Sequence, residues 1–214
     1  MRSVVYTKRG GMEAIGITES PTPQPGPGEV LVEVHRAGIN FADLMMRQGL
    51  YSPAPDFPFT PGYEVSGIIR GLGEGVGQLG IGDRVVALCG TGGYSEQIAL
   101  PADRCFPLPE SVTFDSAAAL PVTYVTALHM LTHLGNFRSG ETILVHHAAG
   151  GVGTATGQLA KAKGKPARYP RAEMRREVAT RYEAFTRQPR LCCDLAKADG
   201  RDRCYFHSPE TYGL

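Results

Sequence analysis

Short apolar, β-branched runs, broken by glycine and proline, fill the first half of the chain. Val4, Val5 and Tyr6 open the series. Residues 29–34 (Glu-Val-Leu-Val-Glu-Val) alternate well enough for a strand, and residues 63–69, 84–88, 94–100 and 105–108 continue the pattern. Gly82 and Asp83 place a turn ahead of Arg84, and residues 21–28 form a Pro/Gly loop. Residues 41–48 predict one short helix. The first 115 residues therefore read as a β-rich, barrel-like domain.

The period changes at Ser116. Residues 117–134 are rich in Ala and Leu and apolar on several faces, which predicts a buried helix kinked or begun at Pro121. A turn over residues 135–140 leads into a strand from Thr142, and a second helix is expected from Gly151 to Lys163. The fold class is thus α/β, with residues 116–164 opening a second domain. After Gly164 the composition shifts. Residues 165–214 carry eleven Lys and Arg against seven Asp and Glu, whereas the rest of the chain carries eleven against fourteen. Residues 171–187 predict an amphipathic helix with Met174, Val178, Tyr182 and Phe185 on one side. Nothing there reads as the second strand of a βαβ unit, and residues 188–214 show no sustained period. This last part is expected to be a divergent, basic, partly helical tail.

The junction over residues 143–153, Ile-Leu-Val-His-His-Ala-Ala-Gly-Gly-Val-Gly, carries the most chemistry. It reads as an apolar strand, a turn of small residues and a helix start. The first N–H groups of a helix lack intrahelical partners and carry the positive end of its dipole, so a diphosphate sits well against them. Ala149, Gly150, Gly151, Val152 and Gly153 are the candidate cofactor-binding residues of this turn.

Three blocks resemble the medium-chain dehydrogenase/reductase superfamily, in its quinone oxidoreductase (zeta-crystallin-like) branch. The first, Gly38-Ile-Asn-Phe-Ala-Asp-Leu-Met-Met-Arg-Gln-Gly-Leu-Tyr51, is most similar to the vesicle amine transport protein group. The second is Thr60-Pro-Gly-Tyr-Glu-Val-Ser-Gly67, followed by Gly73-Glu-Gly-Val76 and Gly82-Asp-Arg-Val85. The third runs from Gly140 through Ala148-Ala-Gly-Gly-x-Gly153 to Gln158 and Lys161. The resemblance covers residues 1 to about 164. It implies a GroES-like β-barrel domain over residues 1–115, then a truncated Rossmann-like cofactor domain over residues 116–164. It further implies NADPH (or NADH) as cofactor and a small-molecule quinone or enone as substrate. Relatives are often homodimers through a surface expected to be missing here, and the change after Gly164 is read as a truncated or frame-shifted ending.

By the same resemblance, Asn40, Asp43 and Tyr51 are candidate catalytic residues, and Asn40 and Thr123 stand near the nicotinamide. Each has a plainer reading. Asn40 caps the helix starting at Phe41, Asp43 partners an Arg or a backbone N–H, Tyr51 packs against the Pro-rich loop, and Thr123 bonds back to its own helix. Zinc is not expected, because Asn40 and Tyr63 stand where zinc-dependent members have Cys and His, and Glu64 alone makes no site. His146 and His147 point to opposite faces of a strand and converge poorly on one ion. Cys192, Cys193, Cys204 and His207 fit no common finger spacing.

Bulk properties narrow the rest. With 22 Lys and Arg against 21 Asp and Glu, the net charge of +1 argues against a dedicated nucleic-acid partner, although the basic run over residues 171–190 leaves RNA or another anionic surface as a third reading. No apolar run spans a bilayer, and the first residues lack a signal-peptide core. An odd count of five cysteines suits a reducing compartment, so a cytoplasmic protein is expected. The alternative function is a non-catalytic GroES-like interaction module or fragment.

Overall fold

The computed structural model describes residues 1–52, 54–138, 141–145, 147–163, 167–168 and 203–206. The chain divides into two compact units, Met1–Val122 and Thr123–Leu214.

In the first unit, β1 (Arg2–Tyr6) and β2 (Ile15–Glu19) form an antiparallel pair. The main sheet has five antiparallel strands in the order β6-β3-β4-β5-β7, from β3 (Glu29–Ala37), β4 (Glu64–Leu72), β5 (Arg84–Leu88), β6 (Gln97–Pro101) and β7 (Cys105–Pro107). The sheet does not close into a barrel, so β6 and β7 are its edges. The expected strands are all present; β2 was not expected. Its two isoleucines flank Gly16, and Ile17 is 76% exposed, so no buried face marks it. Alternation in β3, β4, β5 and β6 sends Val30, Val32, Val65, Ile69, Val85, Ala87, Ile98 and Leu100 into one core. Each such side chain, fully buried, contributes roughly 1.5–3 kcal/mol where it is a Val, Leu or Ile.

Two helices of this unit frame the site. Helix α1 (Phe41–Arg47) follows β3. Helix α2 (Phe114–Ala118) is capped by Thr113, whose hydroxyl accepts the Ser116 N–H at 3.2 Å, and Ser66 donates its hydroxyl to the Phe114 carbonyl at 2.7 Å.

The long apolar helix expected over residues 117–134 is divided. The chain breaks after α2 and restarts at Pro121 as α3 (Pro121–His129), which ends in a π-helical turn, Met130–Leu134. It is not buried all round: Val125 and Leu128 are exposed, and the burial falls on Ala127 and Leu131. Proline sets the restart because it cannot donate a backbone hydrogen bond, and the first turn needs none.

In the second unit, β8 (Thr142–Val145) leads to α4 (Gly151–Ala162). One expectation is corrected here: a second parallel strand does follow the glycine turn, as β9 (Ala167–Arg168). Strand β8 is the middle strand of a parallel sheet, β10-β8-β9, with β10 (Arg203–Phe206) on its other side. The Cys-Tyr-Phe of β10 suits a strand, a signal too short to stand out in the sequence. Leu131, Ile143, Val145 and Ala160 form the core of this unit. Among the described residues no helix is long and apolar enough to cross a membrane.

Candidate functional site

The chain leaves β3 through Gly38 and Ile39 and enters α1 at Asn40. Asn40 has an extended backbone (φ −114°, ψ 153°), the conformation of a helix N-cap, and forms a capping box with Asp43. Asp43 is fully buried. Its carboxylate accepts the Asn40 N–H at 2.8 Å, the Tyr94 hydroxyl at 2.9 Å and the Gly62 N–H at 3.3 Å. Burial pushes the Asp43 carboxyl above its ordinary value, and these three donors pull it part of the way back. The plainer readings of Asn40 and Asp43 are thus both present in the geometry. Asp43 presents no surface to a ligand and acts on the loop that carries Asn40.

A second buried carboxylate, which sequence reasoning weighed only as a leftover zinc ligand, stands next to the first. Glu64 opens β4 and is 1% exposed. Its Oε1 accepts from Asn40 Nδ2 at 2.8 Å, and its Oε2 accepts the backbone N–H of Val122, in the first turn of α3, at 2.8 Å. Desolvation raises its pKa first of all, and the negative charge of Asp43 adds to this. Gly38 makes room for it: a Cβ there would lie 2.3 Å from Glu64 Oε1 and 2.5 Å from the Ala118 carbonyl oxygen. The signal in the sequence was an acidic residue directly ahead of an apolar strand.

Tyr51 is 40% exposed, and its ring meets Tyr63 edge to face at 6.5 Å. Tyr63 points its hydroxyl at Met46 Sδ, 3.8 Å away, and burial raises its pKa, which keeps the phenol neutral. Ile39, Phe41, Leu44 and Leu50 are exposed apolar residues of the same segment. A neutral phenol and an amide engaged with Glu64 are poor zinc donors. Among the described residues no group of three or more His, Cys, Asp or Glu side chains is gathered for a metal ion.

In the second unit, residues 147–150 turn the chain from β8 into α4. His147 takes a left-handed backbone (φ 49°), and its carbonyl accepts the Gly150 N–H at 2.9 Å. Gly150 is the N-cap of α4 and supplies no side-chain cap. The Thr154 N–H bonds to the Gly150 carbonyl at 2.8 Å, so the N–H groups of residues 151–153 lie ahead of the helical ladder. Gly153 is buried, and a Cβ there would lie 2.4 Å from the His147 carbonyl oxygen and 2.7 Å from Ala148 Cα. Thr123 stands on α3 beside the start of α4: a Cβ on Gly151 would meet its methyl group at 2.8 Å. Tyr124 donates its hydroxyl to Gln158, a further tie between the two helices.

The sequence-predicted residues therefore fall into two groups, one in each unit: Asn40, Asp43 and Tyr51 in the first, Thr123 and residues 149–153 in the second. His146, Cys192, Cys193, His207 and the basic run over residues 171–190 lie outside the described residues, while residue 204 belongs to β10.

Residues 26–110 match the alcohol dehydrogenase GroES-like domain family. Over 167 residues the chain is 42% identical to the quinone oxidoreductase of Rattus norvegicus, covering 77% of this chain and 50% of that one. The solved structure of Escherichia coli quinone oxidoreductase complexed with NADPH superposes with a TM-score of 0.75 at 34% identity, over 81% of this chain and 54% of that one. The chain belongs to the medium-chain dehydrogenase/reductase superfamily, in its quinone oxidoreductase-like branch. Within this family of oxidoreductases it goes with the VAT-1-like group. It is 45% identical over 163 residues to the synaptic vesicle membrane protein VAT-1 homolog of Mus musculus, covering 75% of this chain and 40% of that one. The chain thus spans between 40% and about half of the length of these curated relatives.

Proposed function

We propose that this chain carries the GroES-like domain and the opening of the cofactor domain of an NADPH-dependent, zinc-independent reductase of quinones or other conjugated carbonyls. The observation that carries the reading is the start of α4. It has a glycine N-cap without a side-chain cap, three N–H groups ahead of the helical ladder, and a buried Gly153 whose missing Cβ lets the helix sit against the turn. These features fit a dinucleotide diphosphate, which is anionic and needs close backbone approach. The NADPH complex of the Escherichia coli relative supports the same cofactor.

When bound, NADPH supplies the hydride, and the protein supplies position and electrostatics. In this reading the turn over residues 149–153 holds the diphosphate and Thr123 flanks it. Asn40 orients the nicotinamide carboxamide, the hydroxyl of the partly exposed Tyr51 donates to the substrate oxygen, and Asp43 positions the loop. Reducing an electron-poor carbonyl makes smaller demands on a Lewis acid than oxidising an alcohol does. The preference for NADPH over NADH rests on β9 ending at Arg168, a basic residue where NAD-dependent folds have an acidic one. A reducing, cytoplasmic compartment suits the odd cysteine count.

The test is a titration of the full chain with NADPH and with NADH, followed by nicotinamide fluorescence. Saturable binding, tighter for NADPH, is expected. No saturation up to millimolar cofactor would overturn the reading and leave a non-catalytic GroES-like module.

A further inference from the structure

We propose that Glu64 is a positioning residue, which uses the two oxygens of one buried carboxylate to orient the Asn40 amide and to fix the first turn of α3. The inference rests on the reading above, in which Asn40 faces the cofactor.

Glu64 sits where a carboxylate is costly, and no cation among the described residues pairs with it. The ion pairs among the described residues join Arg2 to Glu96, Arg36 to Asp115, and Glu33 to both Arg70 and His35, all with partly or largely exposed side chains. Both partners of Glu64 are N–H donors instead, and they come from the loop holding Asn40 and from the residue directly before Thr123. A buried acid kept for packing alone would be replaced by an apolar residue without loss. A carboxylate that meets two donors does something an apolar residue cannot.

The consequence for Asn40 follows from the inventory of donors and acceptors. An ionised carboxylate only accepts, so the amide of Asn40 must present Nδ2 to it. Its carbonyl end is turned to the Asp43 N–H of the capping box, which bonds the Asn40 main-chain oxygen at 3.0 Å. The second Nδ2 proton has no partner among the described residues. Glu64 therefore makes Asn40 a hydrogen-bond donor toward a ligand, and the group it takes is a carbonyl oxygen. Glu64→Gln, nearly isosteric, reverses this. Gln carries one acceptor and one donor, so its own amide NH2 must oppose either Asn40 Nδ2 or the Val122 N–H. Rotation of the Asn40 amide relieves the clash and turns an oxygen to the ligand instead.

Two measurements on the full chain test this. The side-chain NH2 resonances of Asn40 are recorded in the wild type and in E64Q, and NADPH is titrated into wild type, E64Q, N40A and the double variant. One Asn40 proton is expected downfield in the wild type and back in the ordinary range in E64Q. NADPH affinity should fall about tenfold in E64Q, on the order of one lost hydrogen bond. The double variant should bind no more weakly than N40A, because both changes remove one interaction. Asn40 resonances in the ordinary range in the wild type, or additive losses in the double variant, would overturn the proposal. The wild-type spectrum decides even if E64Q does not fold. If none of the proteins binds NADPH, the reductase reading fails while the amide resonances still decide the role of Glu64.

Discussion

Gly153 shows how little room one residue can leave. The atoms nearest its absent Cβ are backbone, the His147 carbonyl oxygen and Ala148 Cα, which cannot swing aside as a flexible side chain would. Gly153→Ala should therefore cost about 1–3 kcal/mol of stability, the range for overpacking, and should weaken NADPH binding by displacing the turn. Gly77 is the control. A Cβ there meets nothing within 4 Å and its φ lies outside the left-handed region, so Gly77→Ala should be neutral or stabilising by up to about 1 kcal/mol. Urea unfolding of the two variants measures the difference. Equal stabilities would mean that α4 does not sit against the turn as described. Asn40 and Asp43 make a related point about chemistry. Their residue types are those of a catalytic amide and acid, yet the geometry first makes them a helix cap and its buried partner.

At the scale of elements, the start of α4 separates stability from binding. Gly150 is an N-cap with an extended backbone (φ −76°, ψ 170°) that any residue adopts. Gly150→Asp supplies the missing side-chain cap, worth a few tenths of a kcal/mol over glycine, and adds negative charge at the positive end of the helix dipole, worth about 0.3–1 kcal/mol, against which stands a Cβ 3.3 Å from the His147 carbonyl oxygen, so a small net gain is expected. The same carboxylate stands where the diphosphate would lie, so NADPH affinity should drop. A variant both more stable and tighter for NADPH would remove the diphosphate from this helix end. The elements that could be read from the sequence are those with strong local signals: β3 from alternation, β4 and β5 from short apolar runs bounded by turn residues, α1 from Asn40 and Phe41, α4 from its glycines. Those missed share one property, the lack of a local mark. The isoleucine Ile17 of β2 faces outward, and β9 is two residues long. The buried helix was misjudged because an all-round apolar pattern says how much could be covered and not what is. In the candidate site the motif residues were legible one by one. Their hydrogen-bond partners were not, since Glu64 meets Val122 across 58 positions of sequence.

For the whole molecule, the two buried carboxylates set a pH dependence whose sign can be worked out. Asp43 and Glu64 both hold their protons more tightly folded than unfolded, because burial disfavours their charged forms. The stabilisation they give is full below the ordinary carboxyl range, about pH 4, and is lost as pH rises through their raised values. Glu13, Glu33 and Glu96 run the other way. Backbone N–H bonds lower Glu13 and Glu96, and the Arg70 guanidinium lowers Glu33, so their contribution is present above about pH 4.5 and lost on acidification. Salt tells the two sets apart. The second set is at the surface and screened, whereas the first is enclosed. At high salt the melting temperature should therefore fall as pH climbs from about 4.5 toward neutrality, against the usual acid-side behaviour. Glu64→Gln should flatten that slope, since it removes one of the two groups that bind a proton more tightly in the folded chain. Melting curves of wild type and E64Q across this range are the check. A slope unchanged in E64Q would mean that Glu64 does not titrate differently in the folded and unfolded chain, and that its carboxylate is better solvated than its 1% exposure implies.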